Sequence, residues 1–321
     1  MEPEMLSFLS RNKTQHDKHS RMENQLTLNA FFDEHYFPQA KVAKRQPHHD
    51  WCIYNKHIRA SMGSYFLDDV TNPILDIWVR EQILAGYQRS TINKHIHLMN
   101  HMLNLARHWG HILTRSQYQQ NIKKLPVGDF TQRFLSEAEI DTLLKACRTN
   151  SHPFLYLIVQ LLLLTGARKG EARLACWQHI DLHKRVWLVP RSKNGRSRRI
   201  ILSAGAIDAL NAARKKSDEL GLPSKPDNFV FTNPTTRTAY HSYDTAWMKA
   251  RDAAGLPKVR MHDLRHTFAS LLINKGVSLY EVQTLLGHSS LQMTQRYAHL
   301  APDLLHMRTE LVGAILSKTN P

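Results

Sequence analysis

Four short stretches of the chain gather side chains that can do chemistry. In Thr165-Gly166-Ala167-Arg168-Lys169-Gly170-Glu171 an Arg stands at a glycine turn with a Glu three residues on. A guanidinium held there offers planar paired donors that suit a phosphate. In Met261-His262-Asp263-Leu264-Arg265-His266, helical periodicity puts His262, Arg265, His266 and Ala269 on one face. Leu264, Phe268 and Leu271 fall on the other, which is expected to be core. Leu286-Gly287-His288 follows, and Arg296-Tyr297 closes the series. A fifth stretch is purely basic: Arg191, Lys193, Arg196, Arg198 and Arg199 with no acid among them. Taken singly, each has a plainer meaning. Arg168 reads as a salt-bridge partner, Tyr297 as a packing residue and the cation run as a solvated loop.

Other chemistries fail on spacing. Gly166 to Gly170 is not a P-loop, because no Gly-Lys-Ser/Thr follows. His262-Asp263 could open a metal-dependent phosphohydrolase dyad, but no convincing set of distant partners accompanies it. Gly287-His288-Ser289 imitates half a serine-hydrolase elbow, yet Leu291 stands where the second Gly belongs and no strand leads in. Cys176-x-x-His179-x-x-x-His183 and His97-x-x-x-His101 do not supply a tetrahedral ligand set. No metal and no cofactor is expected.

The elements that must carry these residues are mostly helical. The chain has 321 residues, enough for about two domains. Apolar residues make up 42% and charged residues 22%, as in a soluble globular protein. Lys and Arg number 43 against 27 Asp and Glu, a net +16 that calls for a polyanion partner, nucleic acid first. Cys52, Cys147 and Cys176 are too few for a disulfide scaffold, which fits a reducing cytoplasm. Met1–Glu4 is acidic with no apolar run behind it, so no signal peptide is read. The longest apolar run, Phe154–Leu164, falls short of the ~20 residues of a membrane span.

Residues 1–24 read as a flexible arm, 25–122 as a helical domain, 123–131 as a linker and 132–321 as a second domain. Within the first, Ser90–Gly110 is expected to be a helix capped by Ser90, with Ile92, Ile96, Met99, Leu103 and Ala106 inward. Its polar face carries Asn93, Lys94, His97, Asn100, His101, Asn104 and Arg107, either solvated or set against a nucleic-acid backbone. In the second, Ser136-Glu137-Ala138-Glu139 is a capping box, and Phe154–Thr165 is the central buried helix. Val186–Val189 and Ile200–Leu202 read as a hairpin around Asn194-Gly195.

Taken in order, Thr-Gly-Ala-Arg168-x-x-Glu171, Lys193, His262-Asp-Leu-Arg265-His, Leu-Gly-His288 and Tyr297 make residues 132–300 resemble the tyrosine recombinase (phage integrase) family. The helical region resembles that family's core-DNA-binding domain. The resemblance implies a mainly α fold with a small antiparallel β-hairpin or sheet, its two domains forming a clamp on DNA. It implies a site-specific recombinase in which Tyr297 attacks a phosphodiester, forms a 3′-phosphotyrosine and frees a 5′-hydroxyl. Arg168 and Arg265 would hold the non-bridging oxygens, and Lys193 would protonate the leaving oxygen. His262 would take the proton of Tyr297, His288 would add a donor, and Glu171 would orient the catalytic groups. Lys94, Arg107, Arg191, Arg196 and Arg198 are the expected DNA contacts.

The bond energy stays in the phosphotyrosine, so neither ATP nor a metal is called for. Expected partners are double-stranded DNA with specific sites and further copies of the chain. The family's tetramer on two sites would be linked by a carboxy-terminal helix around Leu304–Leu316, with the free protein monomeric or weakly associated. Accessory DNA-bending proteins are further candidates, although only about 24 residues precede the helical region, too few for an arm-site domain. The expected location is a bacterial cytoplasm, at the nucleoid. A type IB topoisomerase, or a DNA-binding regulator with the same fold, is the alternative.

Overall fold

The computed structural model describes residues 26–112, 122–128, 133–190, 197–222, 225–288, 290–300 and 309–310. It is mainly helical with one three-stranded antiparallel sheet. The chain divides into two compact units, Met1–Phe130 and Thr131–Pro321. No helix among the described residues is long and apolar enough to cross a membrane.

In the first unit a helical stretch (α1) runs through Leu28–Ala30, the π-helical Phe31–Tyr36 and Phe37–Ala43. Pro47–His57 (α2), Arg59–Met62 (α3), Asn72–Leu84 (α4) and Arg89–His108 (α5) follow. The apolar stripe of α5 is buried as its periodicity requires, from Ile92 to Ala106, against Phe31, Phe32, Tyr54 and Trp78. Ser90 does not cap α5; extended Gln88 precedes it without a side-chain cap bond. Gly110, at φ +80°, takes the left-handed turn past its end.

The polar face of α5 is partly occupied rather than solvated. Asn100 donates to the Ile122 carbonyl at 2.9 Å and accepts from its amide at 3.0 Å. Asn93 does the same for Leu125, at 3.0 and 2.8 Å. Each carboxamide thus mimics a strand partner, and Ile122 and Leu125 pack on the first unit's core. The segment beginning at Lys123, read as a linker for its Pro, Gly and paired cations, is therefore strapped along a helix through Leu125. Composition signals an irregular backbone, but cannot say where its hydrogen bonds go.

The second unit opens with Glu137–Arg148 (α6), whose Ser136–Glu139 capping box makes both expected bonds, at 3.2 and 2.9 Å. Leu155–Thr165 (α7) is apolar on every side and forms the centre of the core. Lys169–Arg173 (α8) leads to the sheet, Ile180–Asp181 (β1), Val186–Val189 (β2) and Arg198–Ile201 (β3), in that spatial order. β2 pairs with β3 from Val186↔Ile201 to Val189↔Arg198, the expected antiparallel pair, with the second strand at Arg198–Ile201 instead of Ile200–Leu202. The short β1 was not anticipated. Trp187, Val189 and Ile200 face inward, and Leu188, Arg199 and Ile201 face out. The turn at Asn194-Gly195 lies outside the described residues.

Ala204–Glu219 (α9), Asp244–Ala253 (α10), Asp263–Asn274 (α11), Leu279–Leu286 (α12) and Gln292–Gln295 (α13) complete the unit. Periodicity divides α11 into a core face and a presented face, but the structure buries both. Leu264 and Ala269 are fully enclosed, and Arg265 and His266 are nearly so. Leu271, expected in the core, is only half-buried. The reason is position, since α7 packs on one side of α11 and the chain from α12 onward on the other.

Gly166 ends α7 in the left-handed region at φ +60°, and a Cβ there would stand 2.5 Å from Phe268 Cδ1 and 2.8 Å from Leu286 Cδ2. Gly166→Ala should destabilise the protein by about 2–3 kcal/mol, from backbone strain and overlap together. Urea unfolding should show a lower midpoint at an unchanged slope.

Candidate active site

The turn after α7 sets the first guanidinium. Arg168 precedes α8 in extended conformation, and its amide donates to Glu171 Oε2 at 2.8 Å. Its Nη1 donates to Glu171 Oε1 at 2.8 Å, which fixes the fork near the turn. The same carboxylate takes a second guanidinium. Arg198 donates from Nη2 to Oε2 at 2.7 Å and from Nε to Oε1 at 3.1 Å. The Glu171 side chain is only 6% exposed. Burial alone would raise its pKa, but the bonds and charges of Arg198 and Arg168 overcome that and hold it at about 2.

Arg198 therefore corrects an expectation. It is turned inward, with its side chain 8% exposed, instead of being offered to DNA. Its Nη1 also donates to the carbonyls of Leu286 and Leu285 at the end of α12, at 2.9 and 3.3 Å. In β3 the alternation that sends Arg199 outward sends Arg198 in, onto the Glu171 carboxylate.

Arg265 sits in the first turn of α11. Nη1 donates to the Gly166 carbonyl and Nη2 to the Leu286 carbonyl, both at 2.7 Å, so one side chain joins the ends of α7 and α12. Burial, then the charges of Arg168 and Arg198, push its pKa down to about 9. His288 follows the left-handed Gly287 cap of α12, and its Nδ1 lies 2.8 Å from Thr294 Oγ1. Burial and the neighbouring guanidiniums, Arg265 first, lower it to about 3, so the ring is neutral. In the tautomer whose Nδ1 accepts from the Thr294 hydroxyl, Nε2 carries the hydrogen and can serve as a donor.

Tyr297, beyond α13, is 2% exposed. Its hydroxyl is hydrogen-bonded to Nδ1 of His266. Burial pushes the phenol up to about 12, against the lowering pull of Arg296 and Arg265. His262 was expected in the place His266 holds. It stands one turn earlier, exposed, with its ring edge-on to His266 at 5.0 Å between centroids. Periodicity put both histidines on one face but could not tell which one the tyrosine meets.

Arg168, His262, Arg265, His266, His288 and Tyr297 all line one cavity of about 630 Å³. Lys169, Arg260 and Arg296 complete its basic wall, and no described carboxylate lines it. Lys169 is engaged, donating to Asp244 at 2.8 Å. Arg260, which the sequence reading missed, bonds Asp263 at 2.7 Å and helps start α11. Its cue was the Arg260-x-x-Asp263 spacing at a helix start. Such a cavity suits a tetrahedral oxyanion held by two forks beside a phenol. Among the described residues no group of three or more His, Cys, Asp or Glu could hold a metal ion. Lys193, Arg191 and Arg196 lie outside the described residues. Lys94 is exposed in the first unit, on a groove of about 500 Å³ shared with Lys44 and Lys124. Arg107, half-buried, donates to Asn104 at 2.9 Å.

Residues 133–303 match the phage integrase family. The integrase of Salmonella phage P22 is 31% identical over 201 residues, covering 59% of this chain and 49% of that protein. The chain spans about half the length of the curated relatives it matches. Among solved structures, the Tn1549 transposon integrase in complex with circular intermediate DNA superposes with TM-score 0.68 at 20% identity, covering 85% of this chain and 95% of that one. A lambda integrase tetramer bound to a Holliday junction gives 0.68 at 20%, covering 87% and 80%.

The shared carboxylate makes a direct prediction. Glu171 is depressed from 4.5 to about 2, so it contributes about 3 kcal/mol of stability, complete above its unfolded pKa and lost as pH falls through the folded one. Glu171→Gln should cost about that much at neutral pH in urea unfolding. The gap between the two proteins should narrow as pH falls from about 5 toward 2.

Proposed function

The chain belongs to the phage integrase family, and on that premise we propose that it is a site-specific DNA recombinase working through a 3′-phosphotyrosine. The observation that carries this reading is the convergence of Arg168, Arg265, His262, His288 and Tyr297 on one cavity lined by no described carboxylate. Arg168 and Arg265 bind the non-bridging oxygens of the scissile phosphate and stabilise the charge that grows in the transition state. The neutral His288 adds an Nε2–H donor, and His262, at the exposed side, is a further phosphate contact. Tyr297 attacks phosphorus, and Lys193 protonates the 5′-oxygen as it leaves. Glu171 reaches no substrate; it holds Arg168 in place. The phosphotyrosine keeps the energy of the broken bond, so rejoining draws on no ATP.

Double-stranded DNA is the proposed partner, in keeping with the net charge of +16. Lys94 with Lys44 and Lys124, and Arg191 and Arg196 beside Lys193, are the proposed backbone contacts, with Arg107 a further one. Tetramer formation on two DNA sites is proposed from the likeness to lambda integrase, with accessory DNA-bending proteins and a place at the nucleoid as its finer parts. The apolar stripe that would link subunits, around Leu304–Leu316, lies outside the described residues.

Tyr297→Phe should leave DNA affinity nearly intact and abolish covalent capture, because only the attacking oxygen is removed. A denaturing gel after incubation with a nicked site reads the adduct, and an adduct formed by the Phe variant overturns the assignment. Relaxation of supercoiled plasmid without any preferred site would instead make the protein a topoisomerase.

Lys193→Ala should slow cleavage of an ordinary phosphodiester by about 100-fold and of a 5′-phosphorothiolate far less, since sulfur leaves without protonation. Single-turnover rates on the two substrates check this, and equal losses would remove Lys193 from the acid role.

A further inference from the structure

The proton on Tyr297 has to go somewhere, and the structure limits where. The hydroxyl is buried with the ring, and its recorded hydrogen bond runs to Nδ1 of His266. His266 is 7% exposed and lines the same cavity as the two phosphate-binding guanidiniums. Its position is rigid. On one side Arg265 is locked to Gly166 and Leu286, and on the other the Thr267 hydroxyl accepts from the Leu135 amide and donates to the Asp263 carbonyl. The His262 ring lies perpendicular to that of His266, 5.0 Å between centroids.

We propose that His266 is a catalytic residue of the reaction inferred above, the base that takes the proton of Tyr297 as the phosphodiester is attacked. The inference rests on Tyr297 being the nucleophile. As the tyrosine oxygen bonds to phosphorus, its O–H bond breaks and the proton passes to His266 Nδ1. The 5′-oxygen departs with the electron pair of its bond to phosphorus and takes a proton from the general acid. On rejoining, the 5′-hydroxyl attacks phosphorus and gives its proton back to the deprotonated general acid, the bond from phosphorus to the tyrosine oxygen breaks, and His266 returns its proton to that oxygen.

The charged and titratable groups facing His266 are His262 and Asp263 on its own stretch, Arg260 ahead of them, and Arg296 and Tyr297 from the carboxy-terminal side. Burial, then His262, keep the imidazole neutral, with its pKa lowered to about 4. A base that weak cannot take a proton from a phenol near 12 in the resting site. The transfer must accompany attack, when an incoming phosphate anion strengthens the imidazole and bonding to phosphorus acidifies the phenol. The resting enzyme thus keeps its nucleophile protonated until DNA arrives.

The test uses the full chain and a nicked duplex built from DNA that the wild-type protein captures covalently. Single-turnover adduct formation is followed against pH for wild type, His266→Asn and His266→Phe, with melting and gel-shift binding as controls. Asn keeps a hydrogen-bond acceptor near the phenol but cannot take its proton. Both variants should lose about 100-fold at neutral pH and regain about tenfold per pH unit on the alkaline side, as solvent takes over deprotonation, while wild type stays flat. Asn restoring most of the rate would reduce His266 to a positioning residue. Unchanged or faster cleavage, or a loss that does not depend on pH, would also overturn the proposal. An adduct from Tyr297→Phe, or none from wild type, would mark failure of the reading beneath it.

Discussion

A single buried carboxylate holds the catalytic end of the second unit together. Glu171 receives Arg168 from its own turn and Arg198 from β3, and each of these reaches a different part of the structure. Through Arg168 it fixes one guanidinium fork of the candidate site. Through Arg198 it ties the sheet to the last carbonyls of α12, one residue before the Gly287-His288 turn. Gly287 leaves room for this, since a Cβ there would lie 2.8 Å from Arg198 Cδ. Removing one partner of such a network leaves the others charged and buried, which costs far more than an exposed ion pair.

The same arrangement leaves the site short of negative charge. Arg168, Arg198 and Arg265 converge with Glu171 as the one carboxylate bonded to any of them among the described residues. Burial first, then repulsion among the guanidiniums, depresses Arg265 and keeps His288 neutral, and burial with His262 beside it does the same for His266. A phosphate would supply the missing anion, so the site is built in advance for charge it does not itself contain. Arg265 shows how rigidly. Two of its donors go to backbone carbonyls, which orients the fork before substrate arrives.

Much of this was legible in the residues. The leucine-rich run before Thr165 could only be a core helix, Ser136 and Glu139 spelled their own cap, and two apolar runs flanking Asn194-Gly195 marked β2 and β3. The order Arg168, Lys193, His262, Arg265, His288 and Tyr297 carried the resemblance to the family, and the proposed chemistry comes from that resemblance. Gly166 and Gly287 were visible as turn residues. Their need for room beside Phe268, Leu286 and Arg198 was not, since those neighbours lie far along the chain.

Residue type, order and periodicity are local properties, and they determined the family, the helical fold and the candidate donors. Pairing is not local. Arg198 meets Leu286 across 88 positions, Arg265 meets Gly166 across 99, and His266 meets Tyr297 across 31. Periodicity says which face of an element a side chain occupies, but not what the fold brings to that face. Thus the tertiary structure alone decided that Arg198 serves Glu171 instead of DNA, that Asn93 and Asn100 hold a strap, and that His266 stands at the tyrosine. In each case a buried polar group had to find its partner, and packing determined which partner was within reach.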